Sequence, residues 1–201
     1  DSVGIRMPSH PVVREFFRLG AVPFAAPSAN RSGSPSPTNA QDVLSDMNGR
    51  LPLILDGGES QVGVESTVIS VAGDQPILLR PGYITKEQME AVLGEDVLLS
   101  PAILEKLKEG ERPRSPGMKY KHYAPKANIT ILKGSLAQFA DHVKKAADQP
   151  GVWCLCFDGE DKLLPVPCVT YGIKGDGVSQ AHELFRSLRE LDEKGAQTVY
   201  A

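Results

Sequence analysis

Between residues 111 and 125 the chain reads Glu-Arg-Pro-Arg-Ser-Pro-Gly-Met-Lys-Tyr-Lys-His-Tyr-Ala-Pro. Three prolines and a glycine in that stretch remove backbone donors and break helical continuity, so no long helix or central strand can cross it. The chain must therefore fold as two units joined by a connector. The predicted division is 1–94, then a connector over 95–127, then a second unit over 128–201. The connector is unusual in carrying Tyr120, Tyr123, His122 and four basic residues, with Lys126 just beyond. Surface linkers are normally polar, so two aromatic rings suggest a segment that docks.

The second unit alternates strand and helix. Strands are expected at Ile129–Leu132, Val152–Phe157 and Val166–Tyr171, with another beginning at Gln197. Helices are expected at Ser135–Ala147 and Ser179–Lys194, the latter with Leu184, Phe185, Leu188 and Leu191 inward. That order predicts a small Rossmann-like layer structure. It holds no G-x-G-x-x-G, so dinucleotide binding is not indicated.

The first unit mixes helices and strands without strict alternation. Helices are predicted from Ser9-His10-Pro11 to Gly20, from a capping box at Thr38 to Met47, and from a second box, Thr85 to Gln88, up to Gly94. The first presents Val12, Val13, Phe16, Phe17 and Leu19 as a core face. Short strands are expected around Arg6, at Val22–Ala26, Leu53–Leu55, Thr67–Val71 and Ile77–Leu79. A helical turn is expected at Ile103–Leu107.

Three segments carry polar groups suited to a ligand. The loop from Ala26 to Thr38 supplies serine hydroxyls, Asn30, Arg31 and backbone N–H groups between a strand and a helix, a set able to hold phosphate oxygens. A plain Pro/Ser connection has the same composition. Asp56-Gly57-Gly58 and Gly63-Val64-Glu65-Ser66-Thr67 combine close-approach glycines with a hydroxyl at a strand mouth, though a glycine-rich connection would read alike. Arg80 closes an apolar strand, where it can clamp phosphate or stand as a surface arginine. Arg6 is a charge inside a strand and needs a partner or a ligand carboxylate. His10 reads as structural, and His142 and His182 as solvated.

The 201 residues carry a formal charge of -3, which argues against a protein that coats nucleic acid. No apolar run approaches the ~18 residues of a membrane-spanning helix. Asp1-Ser2-Val3-Gly4 is unlike a signal peptide. Cys154, Cys156 and Cys168 lack metal-ligand spacing and read as buried cytosolic thiols. No Ser/His/Asp or Cys/His set is visible, so no protein nucleophile is assigned. Both ends read as strands in progress, so the expectation is an internal fragment of a longer chain.

Taken in order, Arg6-Met7-Pro8, Ala26-Pro27-Ser28-Ala29-Asn30-Arg31-Ser32-Gly33, Ser34-Pro35-Ser36-Pro37-Thr38, Leu55-Asp56-Gly57-Gly58, Glu65-Ser66-Thr67-Val68 and Leu79-Arg80-Pro81-Gly82 closely resemble the second half of the YrdC-like domain of L-threonylcarbamoyladenylate synthases. Ser115 to Pro125 resembles the linker of the two-domain form, and Leu184 to Asp192 resembles its C-terminal domain. The resemblance implies an α/β fold: the second half of a YrdC-like open twisted α/β sheet, a linker, and a small, incomplete Rossmann-like domain. It implies a cytoplasmic enzyme that makes threonylcarbamoyl-AMP and pyrophosphate from L-threonine, bicarbonate and ATP with Mg2+. The product would feed tRNA N6-threonylcarbamoyladenosine formation at position 37 through downstream transfer machinery. Arg6, Ala26 and Ser66 would hold threonine. Ser2, Ser28, Asn30, Ser36 and Arg80 would hold ATP, with Tyr123, or less favourably Tyr120, closing over the nucleotide. The family's lysine- and arginine-bearing N-terminal motif is absent from these residues, so the fragment alone is expected to be inactive. The competing reading is an RNA-binding or tRNA-modification accessory module without its own catalysis. It rests on the local charge of +4 and the tyrosines of residues 111–127.

Overall fold

The computed structural model describes residues 2–104 and 124–201. The second unit is a four-stranded parallel sheet in the order β4-β7-β5-β6. Its strands are β4 (Asn128–Thr130), β5 (Val152–Cys156), β6 (Cys168–Thr170) and β7 (Thr198–Tyr200). Strand alternation sends side chains to both faces. On one face Leu155, Val169 and Val199 pack with Phe185, Leu188 and Leu191 of helix α6 (Gly177–Glu193). On the other, Val152 and Cys154 pack with Val143 of helix α5 (Leu136–Lys144). The result is the helix–sheet–helix layering expected from the sequence. Ser135 and Gln138 form a reciprocal capping box at the start of α5. Asp176 caps α6 by accepting from the N–H groups of Val178 and Ser179. Cys154 and Cys156 are buried, whereas Cys168 is only partly so.

The first unit holds an open three-stranded sheet, β1-β2-β3. Strands β1 (Val68–Ser70) and β2 (Ile77–Arg80) form an antiparallel hairpin, with a register shift between Val68 and Ile69. Strand β3 (Leu98–Leu99) pairs parallel with β2. The sheet thus reaches past Gly94 into residues expected to begin the connector, because apolar Val97-Leu98-Leu99 completes the edge of β2. Helix α3 (Lys86–Leu93) has the expected Thr85/Gln88 capping box and a left-handed Gly94 at φ 72°. Helix α4 (Pro101–Leu104) begins two residues before the helical turn expected at Ile103–Leu107 and overlaps it at Ile103 and Leu104; residues 105–107 lie outside the described residues.

Several local expectations differ. Helix α1 (Pro11–Gly20) takes His10 rather than Ser9 as its N-cap, and the left-handed residue is Ala21 rather than Gly20. Its apolar face is not buried among the described residues; Phe16 and Phe17 instead pack on Phe24, with ring centroids 4.8 and 5.3 Å away. The cap of α2 (Ala40–Met47) lies one residue later than expected. Asn39 accepts from the Asp42 N–H, while the Asp42 carboxylate accepts from the Thr38 N–H. Finally, the stretches around Arg6, Val22–Ala26 and Leu53–Leu55 are not strands. A strand needs a ladder partner, and the described residues offer these three none.

Candidate functional site

The hairpin determines what Arg80 meets. Antiparallel pairing sets the end of β2 opposite the start of β1, with Arg80 across from Val68. Its guanidinium therefore folds over the residues just before β1. Nε donates to the Ser66 carbonyl at 3.0 Å, and Nη2 donates to the same carbonyl at 2.8 Å and to Ser66 Oγ at 3.1 Å. Nη2 also lies 3.4 Å from Glu65 Oε2, both side chains being mostly buried. The other oxygen of Glu65 accepts from the Ser36 hydroxyl. One carboxylate thus ties the Ser/Pro loop to the hairpin. Close approach is possible because residue 82 is glycine. A Cβ there would stand 2.3 Å from the Thr67 backbone nitrogen and 2.5 Å from the Glu65 backbone carbonyl oxygen.

The rest of the Ser/Pro loop is held from within. Ser28 Oγ donates to Asn30 Oδ1 at 2.5 Å, and Asn30 Nδ2 donates to the carbonyls of Arg31 and Ser34, both at 2.9 Å. Ala29 and Gly33 take left-handed conformations, with φ of 55° and 90°. The loop's far side is anchored by Asp46, whose carboxylate accepts from the Arg31 N–H at 3.2 Å and from Arg189 Nη2 at 2.7 Å.

The structure brings Ser36, Ser66 and Arg80 together through Glu65. Ser28 and Asn30 share the same loop and bind each other. Ser2, Arg6 and Ala26 are exposed, and among the described residues neither Ser2 nor Arg6 is tied to this cluster by a hydrogen bond or ion pair. Tyr120 and Tyr123 fall outside the described residues. Asp56 and Gly58 line an open cavity of about 470 Å³ with Asn39, Leu44 and Ile54, and Ser66 is not part of its lining. His10 Nε2 is 3.3 Å from the Gly57 carbonyl, a structural contact. His142 is exposed and edge-on to Tyr200 at 5.4 Å, and His182 pairs with Glu183.

Two groups were not singled out from the sequence. Glu65 adjoins Ser66 and could have been marked as the carboxylate needed beside Arg80. Arg189 follows Phe185 by four residues, which places a charge on the flank of the buried face of α6.

Burial raises the pKa of Asp46, but the hydrogen bond from Arg189 and the N–H of Arg31 outweigh it, so the carboxyl sits below its ordinary value. A lowered folded pKa adds stability that is complete above the unfolded value and is lost as pH falls through the folded one. The junction between α6 and the loop is therefore expected to weaken below roughly pH 4. Thermal midpoints measured against pH should fall there for the native protein, and less steeply for Asp46→Asn. Parallel pH profiles for the two proteins would contradict this.

Comparison with known proteins agrees with the motifs. Residues 84–201 match the family described as threonylcarbamoyl-AMP synthase, C-terminal domain, and residues 1–82 match one described as telomere recombination, the Sua5/YrdC type. The chain is 53% identical to the threonylcarbamoyl-AMP synthase of Bacillus subtilis, aligning over all of this chain and 58% of that protein. Identity to the Pyrococcus abyssi synthase is 37%, with the same coverages. The Schizosaccharomyces pombe synthase is 36% identical over 97% of this chain and 51% of its own length. A solved structure of Pyrococcus abyssi Sua5 complexed with L-threonine superposes with a TM-score of 0.82 at 35% identity, covering 98% of this chain and 57% of that one. The chain thus spans somewhat more than half the length of these relatives. With both parts matched in order and over nearly every residue, it belongs to the threonylcarbamoyl-AMP synthase family, as a YrdC-type region followed by the family's C-terminal domain.

Proposed function

We propose that the protein carrying this chain makes threonylcarbamoyl-AMP and pyrophosphate from L-threonine, bicarbonate and ATP, in the cytoplasm. The observation that supports this most is the Ser36–Glu65–Arg80–Ser66 cluster, which joins groups expected on ATP to a group expected on threonine. Arg6 would pair with the threonine carboxylate, with Ser66 and Ala26 completing that pocket. Ser2, Ser28, Asn30, Ser36 and Arg80 would hold the nucleotide. Tyr123 would close over it. The N–H of its neighbour Ala124 donates to the Gly33 carbonyl at 3.3 Å, which brings that end of the connector to the Ser/Pro loop.

The threonine amine attacks CO2 derived from bicarbonate and loses a proton, giving a carbamate. A carbamate oxygen then attacks the α-phosphorus of ATP, and pyrophosphate leaves. Such a transfer needs positioning and charge neutralisation more than a protein nucleophile. Mg2+ would enter with ATP and supply positive charge at the phosphates. The hydroxyl and carboxylate oxygens of Ser36 and Glu65 are of the hard kind that suits it. The product would pass to the machinery that modifies tRNA adenosine.

Pyrophosphate release by the whole protein should require ATP, threonine and bicarbonate together. Release without threonine would rule the reading out. Calorimetry on Arg6→Ala and Ser66→Ala should show threonine binding lost and ATP binding retained. The reverse pattern would exchange the two pockets.

A further inference from the structure

Helix α6 belongs to the second unit, yet it grips the first unit at two places. The first is Gly63. Its N–H donates to the Ala181 carbonyl at 2.8 Å, and its carbonyl accepts from the Phe185 N–H at 3.2 Å. Ala181 and Phe185 stand four residues apart, the pair that an α-helix joins to each other. The peptide of Gly63 therefore docks along the helix's own bonding ladder. A Cβ on residue 63 would stand 2.0 Å from the His182 carbonyl oxygen, so only glycine fits. Two residues beyond Gly63 comes Glu65.

The second place is Arg189. Nη2 donates to the Pro35 carbonyl at 2.6 Å and to Asp46 at 2.7 Å, while Nε reaches the Ser36 carbonyl at 3.4 Å. Asp42 is 3.8 Å from Nε. The Arg189 side chain is only 11% exposed, and the flanking Pro35 is fully buried. A rigid guanidinium fork thus fixes the backbone on both sides of the Ser36 hydroxyl. That hydroxyl is bonded to Glu65, which α6 holds by way of Gly63. One helix sets both ends of the Ser36–Glu65 contact.

We propose that α6 is a positioning element of the nucleotide site, with Arg189 as the positioning residue that aims Ser36 at the ATP phosphates. The C-terminal unit would thereby set ATP affinity without touching ATP. This rests on the synthase reading above. Catalytic and binding groups are productive only when held within fractions of an ångström, and such precision comes from supporting contacts.

The test uses the whole protein with Arg189→Ala and Arg189→Lys. ATP and threonine binding are measured by calorimetry, KM and kcat by pyrophosphate release, and thermal midpoint by fluorescence. The expected result for Arg189→Ala is ATP affinity weakened at least tenfold, with KM for ATP raised to match. Threonine affinity in the absence of ATP should stay within twofold. Lysine restores a charge beside Asp46 but lacks the planar fork, so Arg189→Lys should recover the thermal midpoint and not the ATP affinity. Native ATP affinity in either folded variant overturns the proposal. If Arg189→Ala does not fold, Arg189→Lys decides on the same criterion. A native protein that binds no ATP removes the synthase reading and this proposal together. A native protein that turns over, alongside variants equal to it, removes this proposal alone.

Discussion

Arg80→Ala in the whole protein is expected to weaken ATP use by about 1.5 to 3 kcal/mol, the scale of a hydrogen bond to a charged group. That corresponds to roughly 10- to 150-fold in apparent affinity. The side chain does two things at once. It places positive charge between Ser66 and the Glu65 carboxylate that Ser36 bonds, and it holds the Ser66 carbonyl through two donors. Arg80→Lys should preserve the charge but not the two-donor grip, and so should fall between the native protein and alanine. Removing Arg80 also leaves the Glu65 carboxylate without its counter-ion, a negative charge that would repel a bound triphosphate. ATP binding should then improve in the double variant Arg80→Ala/Glu65→Gln relative to Arg80→Ala. Titration calorimetry with ATP checks all three. Undiminished affinity in a folded Arg80→Ala would take this arginine out of the nucleotide site.

Gly63→Ala should have the largest effect on stability. Overpacking typically costs 1 to 3 kcal/mol when side chains can yield, and here the obstacle is a backbone oxygen. The expected loss is about 3 kcal/mol or more, because relief requires α6 to move away from the loop. The two units should then melt as separate calorimetric transitions, and protease cleavage near residues 60–66 should accelerate. A single transition at the native temperature would mean that the loop shifts at no cost.

What could be read from the sequence is what depends on near neighbours. The capping boxes at Thr85 and Ser135, the hairpin from Val68 to Arg80, and the buried stripe of α6 each follow from residues within a few positions of one another. Expectations failed where the partner was distant. Val22–Ala26 and Leu53–Leu55 have strand-like composition, but composition supplies no ladder partner. Phe16 and Phe17 have the spacing of a core face, yet what such a face packs against is not written in its own period. The cap at Asn39 was missed by one position because Thr38 and Asn39 are both good caps, and the Asp42 carboxylate decided between them. Ser36, Ser66 and Arg80 stand in the motifs that carry the family resemblance, and the structure brings them together through Glu65. Arg189 was not legible, since it lies 154 residues beyond the Pro35 carbonyl that it holds.

The order of strands in the second sheet bears on how the chain acquires its fold. Strand β7 is made after β4, β5 and β6, yet it lies between β4 and β5 and pairs with both. Until Thr198–Tyr200 leave the ribosome, β4 lacks its partner among the described strands, and Val199, wholly buried when folded, leaves a slot through the core. Pairing across long separations is slow because loop closure precedes any gain. Helix α6 is synthesised just before β7 and cannot settle on a finished sheet until that strand arrives. Assembly of the loops that α6 holds is therefore expected to wait on residues far from them in the chain, so that a nascent chain would draw Ser36 and Glu65 together only after β7 has emerged.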